Sequence, residues 1–420
     1  MREEFYPRLG ETLYRDTLPD GLEIMVLKKP GFSKKLAYFV TDFGSIYTEF
    51  TLNGEKHRVP AGVAHYLEHK MFDMPQGDIT NAFSALGGVP NAFTDYDMTA
   101  YYFSCTENFG ENLRLLLQFV STPYFTEQSV QKEQGIIGQE IDMNLDSPDS
   151  VIFDRLMAAM YQKHPVSVPI LGTRETIGRI TPEILHTCHR AFYSPGNMLL
   201  CVVGDVDPEQ VHAIASQELR DFAPERLELQ RSWDEPMTCP LHRVSTAMDV
   251  AMPTFQAGFK CEPADRSRES VHQEFVADLA AEALLGESSP LFLKLYQQGL
   301  IDSSFGGGFE TVTGMAMLTA SGDSRDPDRV VAEILQAAEQ FRDPEPEDFL
   351  RMKRSALGRR LRGLDSFSGT CFRLCAYHFC GCDYFRFPEL YEQITAPEIT
   401  EFIHRVVTPE RCCVSVITPL

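Results

Sequence analysis

The sequence predicts an α+β protein made of two homologous α/β domains, and three observations favour this fold class. The chain has 420 residues, enough for two or three domains with cores of their own. Short runs rich in β-branched and aromatic residues alternate with longer stretches of helical periodicity. A helix, a proline turn and an apolar strand follow one another near the middle of the chain, and the same order returns at its end.

The repeated segment divides the chain. In the first copy a helix opens at Ile180–Ile184 and a proline turn leads into the apolar run Met198–Gly204. In the second copy the helix opens at Ile394–Ile399 and the apolar run is Cys412–Ile417. Such self-similarity is the signature of a duplicated unit. The polar, proline-rich stretch between the copies reads as a linker. We therefore predict a first domain, a linker and a homologous second domain over residues 1–223, 224–240 and 241–420.

The elements of the first half follow from periodicity and turn residues. Thr126 has the side chain of a helix N-cap, and Glu127 stands favourably in the first turn after it. Gly135 and Gly138 would weaken that helix, which predicts that another backbone packs close to them. In chain order the predicted elements are strands at 23–27 and 36–44, helices at 61–72 and 81–88, two strand segments within 91–105, helices at 108–120 and 127–144, and a buried strand at 198–204.

Composition excludes several classes of function. The formal net charge of −22 argues against binding to nucleic acids and to anionic membrane surfaces. No apolar run approaches the 18 or so residues of a membrane span, so no membrane span is predicted. The first residues lack the apolar region of an export signal, and we expect a cytoplasmic protein.

The cysteines fit the same compartment. There are 11 of them, an odd number scattered along a large chain, which favours reduced thiols. The cluster of Cys371, Cys375, Cys380 and Cys382 lacks the paired spacing of a zinc site. Buried structural thiols are the favoured interpretation, and a second metal site is the alternative.

One short stretch in the first half carries metal chemistry. If residues 61–72 are helical, His65 and His69 lie one turn apart, about 40° from each other on one face, with Glu68 beside them. Two neutral imidazoles so placed can bind one divalent ion, and the carboxylate can take a proton from water activated by the metal. The alternative is chance, because a chain with 11 histidines shows this pattern in roughly one case in fifty. The stretch needs a third ligand.

The helix predicted at 127–144 offers candidates for that ligand. Glu133 and Glu140 are seven residues apart and therefore face the same side of a helix. The alternative is a solvated acidic face, and periodicity alone leaves the two interpretations open.

Four motifs of the first half together resemble the insulinase (pitrilysin) family of zinc peptidases, which includes the mitochondrial processing peptidases. They cover most of residues 20–205 and comprise His65-Tyr-Leu-Glu68-His69, Gly87-Gly-Val-Pro-Asn91-Ala-Phe-Thr94 with Asp97, Glu133-x6-Glu140, and Phe192-Tyr-x-Pro195-x-Asn197 running into a strand.

The resemblance assigns roles to these residues. It implies one Zn²⁺ bound by His65, His69 and Glu140, with Glu68 as general base and Glu133 as an outer-shell group that orients the ligands. It also implies that a peptide substrate pairs with an edge strand formed by Asn91, Ala92, Phe93 and Thr94. Each domain is expected to be a mostly antiparallel sheet packed by helices, and the two domains to form half of a clam-shaped chamber.

The second half departs from the family. Active members carry an arginine and, six residues later, a tyrosine that hold the substrate carbonyl, but Tyr296 and Asp302 stand at the matching positions. We therefore predict a zinc-dependent endopeptidase subunit whose homologous partner supplies the missing pair. A heterodimer is favoured over a homodimer, because a second copy has the same defect. The alternatives are a peptidase that acts alone or as a homodimer, and a non-catalytic binding or assembly subunit of the same fold.

Overall fold

A mixed sheet of seven strands forms the first half of the chain. The computed structural model describes residues 1–75, 77–219 and 226–420. The strands in this half are β1 (Arg2–Tyr6), β2 (Glu11–Thr17), β3 (Glu23–Lys28), β4 (Lys35–Thr41), β5 (Glu49–Leu52), β6 (Glu55–Arg58), β7 (Asp73–Met74), β8 (Gly77–Asp78), β9 (Val89–Thr94), β10 (Thr99–Cys105), β11 (Met198–Gly204) and β12 (Leu227–Leu229).

The order of the large sheet is β1-β2-β3-β11-β4-β10-β9. Its centre is β11, which is buried along all seven residues and pairs in parallel with β3 and antiparallel with β4. A continuous apolar run is typical of a strand covered on both faces, so the prediction of a buried strand at 198–204 is confirmed. Among the described strands, β10 is the one partner of β9, which lies at the edge of the sheet.

Helices cover this sheet, and two of them, α1 and α4, carry the candidate metal ligands. Helix α4 begins after Thr126, whose side chain accepts a hydrogen bond from the backbone N–H of Ser129. The Ser129 hydroxyl oxygen in turn accepts the backbone N–H of Thr126, so the predicted cap is confirmed. The helices are α1 (Val63–Met71), α2 (Thr80–Ala85), α3 (Phe109–Ser121), α4 (Glu127–Leu145), α5 (Pro148–Met160), α6 (Arg174–Ile177), α7 (Pro182–Phe192) and α8 (Pro208–Glu218).

The expectation about the two glycines of α4 is wrong. A side chain at Gly135 would meet no atom within 4 Å, and at Gly138 it would meet the guanidinium of Arg174 rather than another backbone. That guanidinium pairs with Asp142 one turn further along α4. The glycine at 138 therefore makes room for a side chain that reaches across the helix.

The second half repeats the plan with five strands in the order β13-β17-β14-β16-β15. Its strands are β13 (Arg243–Met248), β14 (Thr254–Lys260), β15 (Gly306–Val312), β16 (Met315–Asp323) and β17 (Cys412–Pro419). Its helices are α9 (Arg268–Leu285), α10 (Pro290–Gln297), α11 (Pro327–Glu339), α12 (Pro346–Gly363), α13 (Phe367–Phe379), α14 (Phe387–Gln393) and α15 (Ala396–Val406).

The two halves are related strand by strand. The series β3-β11-β4-β10-β9 corresponds to β13-β17-β14-β16-β15, and in both the last strand of the series in chain order lies between one parallel and one antiparallel neighbour. The prediction of two domains with mostly antiparallel sheets packed by helices is confirmed. The boundaries 1–223, 224–240 and 241–420 stay a prediction, and residues 220–225 lie outside the described part. Residues 227–229 of the expected linker form β12, which pairs with β5 of the first half.

Polar contacts tie the halves together. Arg266 of the second half donates to both carboxylate oxygens of Asp42 at 2.8 Å, and both side chains are nearly inaccessible. Glu235 accepts backbone N–H groups of residues 162–164 and also pairs with the buried ammonium of Lys260 at 2.9 Å. Buried charges are tolerated only when paired and hydrogen-bonded, so these contacts fix the orientation of the two sheets. Among the described helices, none is both long and apolar enough to cross a bilayer.

Candidate metal centre

Helix α1 brings His65, Glu68 and His69 to one face. It starts after Gly62, whose positive φ of 91° and close approach to the carbonyl of Leu171 leave no room for a side chain. His65 and Glu68 are buried, while His69 is one-quarter exposed. Burying two ionisable side chains and most of a third on a nine-residue helix is unfavourable unless they find partners, which makes this helix unlike an ordinary core helix.

Helix α4 supplies the third group. The Nε2 atoms of His65 and His69 lie 3.7 and 3.6 Å from the two carboxylate oxygens of Glu140. The three candidate ligand atoms all lie within 4.8 Å of one another. These separations are too long for hydrogen bonds, whereas ligands about 2.0–2.1 Å from one tetrahedral zinc stand about 3.3–3.4 Å apart. Two imidazoles and one carboxylate are also the donors that catalytic zinc uses, so the residues present fit this ion.

The remaining ring nitrogen of His69 is held by Glu133. Nδ1 lies 3.0 Å from Oε1 of that glutamate, and a carboxylate can only accept there, so Nδ1 carries the hydrogen and Nε2 is free to bind a metal. Carboxylate partners of this kind fix the tautomer and orientation of a ligand. His65 differs, because its Nδ1 is buried and has no partner among the described residues.

Helices α1 and α4 are held against each other by a hydrogen bond beside the site. The hydroxyl of Tyr66 donates to the backbone carbonyl of Val130 in the first turns of α4. Because both residues are buried, this contact fixes the distance between the two helices. The relative position of the histidines and Glu140 therefore does not depend on a bound ion alone.

The pKa values of the two histidines move in opposite directions. Burial, and then the neighbouring imidazole of His69, lowers the pKa of His65 to about 3. Burial also opposes the charged form of His69, but the hydrogen bond to Glu133 and the nearby carboxylates outweigh it and raise the pKa of His69. His65 therefore stays neutral, the form in which imidazole binds a metal, across the ordinary pH range.

Glu68 lies beside the three candidate ligands with one oxygen already engaged. Its Oε2 accepts a hydrogen bond of 2.6 Å from the hydroxyl of Thr94 on β9, and Oε1 has no partner among the described residues. Burial raises the pKa of Glu68. The hydrogen bond from Thr94 and the positive charge of a protonated His69 ring oppose this rise. A carboxylate with one fixed and one free oxygen is arranged to take up a proton.

Strand β9 places the four residues expected to bind substrate. Because β9 is an edge strand, its outer side is open to pairing with another segment. Asn91 is exposed, and its side chain accepts the backbone N–H of Ala92. Phe93 packs on Tyr38 and Phe372, the latter from the second half. Substrate binding by this strand stays a prediction.

Comparisons with known proteins agree with this geometry. Residues 55–174 match the family model described as "Insulinase (Peptidase family M16)", and residues 179–356 match the model described as "Peptidase M16 inactive domain". The chain is 35% identical to the "uncharacterized zinc protease YmfH" of Bacillus subtilis (strain 168), over 99% of this chain and 98% of the relative. The chain belongs to the insulinase family.

Two solved structures share the fold of this chain over nearly its whole length. A putative M16-like peptidase from Alicyclobacillus acidocaldarius has a TM-score of 0.93 at 28% identity and matches 98% of this chain and 99% of its own. A protease from Helicobacter pylori has a TM-score of 0.83 at 18% identity over 97% of this chain and 99% of its own, which shows a common fold. The zinc peptidase resemblance inferred from the motifs is confirmed at the level of the family.

The two positions that depart from the insulinase pattern are on the surface of the second half. Tyr296 is 55% exposed on α10 and stacks on Phe292. Asp302 is exposed after that helix and accepts the backbone N–H of Ser304, and hydrogen bonds from Ser304 lower the pKa of Asp302. Neither residue offers a cation at neutral pH.

Other contacts near the site were not visible in the sequence. The Thr94 hydroxyl was expected only on the substrate strand, yet it binds Glu68. Asp97 belongs to the motifs that carry the resemblance, and it accepts the backbone N–H of Thr313 in the second half. Arg266 carried no motif at all, although it joins Asp42 and Asp97. A buried arginine can be suspected from sequence only once its acidic partners are known.

Cys371 and Cys375 are buried in the shared core beside Cys201.

Proposed function

We propose that this chain is the zinc-binding subunit of a two-chain endopeptidase. The observation that carries the proposal is the set of His65, His69 and Glu140 with Glu68 beside it. Relatives named zinc proteases and the insulinase family membership support it. We further propose a cytoplasmic location, which is supported by the presence of all 11 cysteines as free thiols.

The ligands and the base have separate tasks. His65, His69 and Glu140 would hold the ion, and Glu133 keeps the His69 ring in the tautomer that binds metal. When bound, zinc supplies a Lewis acid that acidifies water and polarises a carbonyl group. Oε1 of Glu68 takes the proton from the attacking water and passes it to the leaving amine.

The substrate would lie along β9. An extended peptide that pairs with the outer side of Asn91–Thr94 gains main-chain hydrogen bonds and becomes an extra strand of the sheet. The same strand ends at Thr94, which touches Glu68. A peptide bound there therefore runs directly past the base.

The two positions of the second half that match the family's arginine and tyrosine offer no group to stabilise the oxyanion. Asp302 is ionised at neutral pH and would repel a developing negative charge, and Tyr296 is a neutral phenol in the place of a cation. Losing one such donor typically lowers turnover about 10²- to 10³-fold. We therefore infer that a homologous chain with the arginine and tyrosine intact completes the site. A homodimer would not correct the defect.

The experiment compares peptide cleavage by the purified chain alone with cleavage by the chain mixed with its nearest homologous neighbour from the same genome. A quenched peptide library serves as substrate, and zinc content is measured in both samples. We expect cleavage only in the mixture, and replacing the neighbour's matching arginine should remove it. Full-rate cleavage by the single chain would replace the heterodimer with a self-sufficient peptidase. No cleavage in any combination, despite bound zinc, would favour the binding subunit.

A further inference from the structure

The contact between Thr94 and Glu68 joins two elements that have separate tasks. Thr94 is the last residue of the edge strand β9, and Glu68 lies on the candidate metal-binding helix α1. Its hydroxyl donates to Oε2 at 2.6 Å, a short and charge-assisted hydrogen bond. Glu68 forms no other hydrogen bond or ion pair with the described residues. Among those residues, the Thr94 hydroxyl is therefore the one group that fixes the Glu68 carboxylate.

The backbone around Thr94 is itself fixed. Thr94 pairs with Thr99 across the β9–β10 hairpin, and the turn between the strands is closed by the N–H of Asp95 and the carbonyl of Met98 at 2.8 Å. The N–H groups of residues 45 and 46 bind the carbonyls of residues 95 and 96. A side chain at Gly44 would approach the carbonyl of residue 96 to 2.2 Å, so this contact requires glycine.

The turn is also anchored in the second half of the molecule. Asp97 accepts the backbone N–H of Thr313 at 3.0 Å, and Arg266 pairs with Asp97 at 3.4 Å. The turn that follows Thr94 is therefore anchored in both halves of the molecule, whereas a glutamate side chain alone has several rotamers available. A group that must meet a reacting atom is effective only when its neighbours fix its orientation.

We propose that Thr94 is a positioning residue for the general base. Its hydroxyl holds Oε2 of Glu68 and thereby leaves Oε1 as the atom that receives the proton. The inference rests on the proposed peptidase function and goes beyond it, because β9 then serves both to bind the peptide and to orient the base. The competing interpretation is that Thr94 matters only as part of the substrate strand.

Two substitutions separate these roles. Thr94→Val keeps the shape and β-branching and removes the hydroxyl, while Thr94→Ser keeps the hydroxyl and removes the methyl group. Thr311→Val on β15 is the matched control, since Thr311 is exposed on the corresponding edge strand of the second half. All variants are assayed as the complete chain together with the partner that gives wild-type cleavage.

We expect T94V to lower kcat about 10- to 100-fold, as changes to orienting groups usually do, with KM within about twofold and zinc content unchanged. T94S keeps the hydroxyl and should recover most of the kcat that T94V loses, and T311V should keep wild-type kcat. In the E68Q background, T94V should have no further effect, because the carboxylate it orients is gone. A change in KM alone, unchanged kcat in T94V, or equal loss in T94S would each overturn the proposal.

A second measurement does not depend on activity. Crystal structures of wild type, T94S and T94V, each without partner, show whether the Glu68 carboxylate keeps one orientation. We expect one orientation with the hydroxyl and several without it. A single unchanged orientation in T94V contradicts the proposal even if no substrate is ever found, whereas an inactive wild type with any partner counts against the peptidase function and not against the positioning role.

Discussion

The two halves of the molecule use the same arrangement of strands and place different side chains on it. In the first half the helix that follows β4 is α1, which packs on edge strand β9 and buries His65 and Glu68. In the second half the helix that follows β14 is α9, which packs on edge strand β15 and buries Phe275 and Leu279. Helix α1 presents candidate metal ligands and a candidate base, whereas its counterpart α9 contributes apolar side chains to the core.

The difference shows what a metal site requires of a scaffold. Ionisable groups on α1 cannot be buried without partners, and the glutamates of α4 supply them. The twice longer α9 needs no such partner, because its buried positions are apolar and contribute hydrophobic stabilisation directly. The fold is therefore common to both halves, while function depends on a few side chains of one half.

The largest expected effect is the loss of peptide turnover when Glu68 of the first half is replaced, with no change in the stability of the protein. Glu68→Gln keeps the size and the Thr94 contact but cannot take up a proton, so peptide turnover should fall by about 10³-fold or more while zinc content and the melting temperature stay unchanged. The matched control is Glu269→Gln in the exposed first turn of α9, which should leave turnover at the wild-type rate. Comparable turnover in E68Q would remove Glu68 from the mechanism.

A smaller effect is expected one contact away from the ion. Glu133→Ala frees Nδ1 of His69, so the ring loses its fixed orientation and zinc affinity or turnover should fall roughly 10- to 100-fold. Competition with a chromogenic chelator measures the affinity, and Gln139→Ala on the exposed side of the same helix is the control. An affinity equal to that of the control would mean that Glu133 has no part in holding the ligand.

The smallest effect concerns stability at the contact between the halves. Asp154 lies on α5, which packs on β14 and β17, and burial raises its pKa from 3.8 to about 6. A raised pKa means that the folded state binds the proton more tightly, so this contribution is complete below about pH 4 and is lost as the pH rises through 6.

Asp154→Asn should therefore stabilise the protein at pH 7.5, by about 1 kcal/mol after allowance for partial exposure, and have no effect at pH 4. Urea unfolding at the two pH values measures the difference, and Asp249→Asn, which changes an exposed carboxylate, is the control. Equal stabilisation at both pH values would show that titration of Asp154 is not the cause.

Local patterns in the sequence predict much of this molecule. The i, i+4 histidines, the glutamates seven apart on α4, the Thr126 cap and the repeated helix–turn–strand segment each depend on neighbours close in the chain. Predicting the edge position of β9 needed the family resemblance, because a strand's place in a sheet is set by distant segments.

Contacts between distant residues were not predictable. The hydroxyl of Thr94 meets Glu68 only after the hairpin folds over α1, and Arg266 meets Asp42 across 224 positions of the chain. Gly138 within a helix predicts a neighbouring backbone, whereas the structure places the Arg174 side chain there. In each case the sequence indicates the residue type and the tertiary structure decides its partner.

The measurement that tests the account most directly is the number of zinc ions retained per chain by wild type, Glu140→Ala and Gln139→Ala after dialysis. Two imidazoles alone leave a tetrahedral site one protein ligand short, so wild type and Q139A should retain one zinc, and E140A should bind it at least about 100-fold more weakly. Full zinc in a folded E140A protein would show that Glu140 is not the third ligand. A folded wild-type chain that retains no zinc would contradict the metal centre itself.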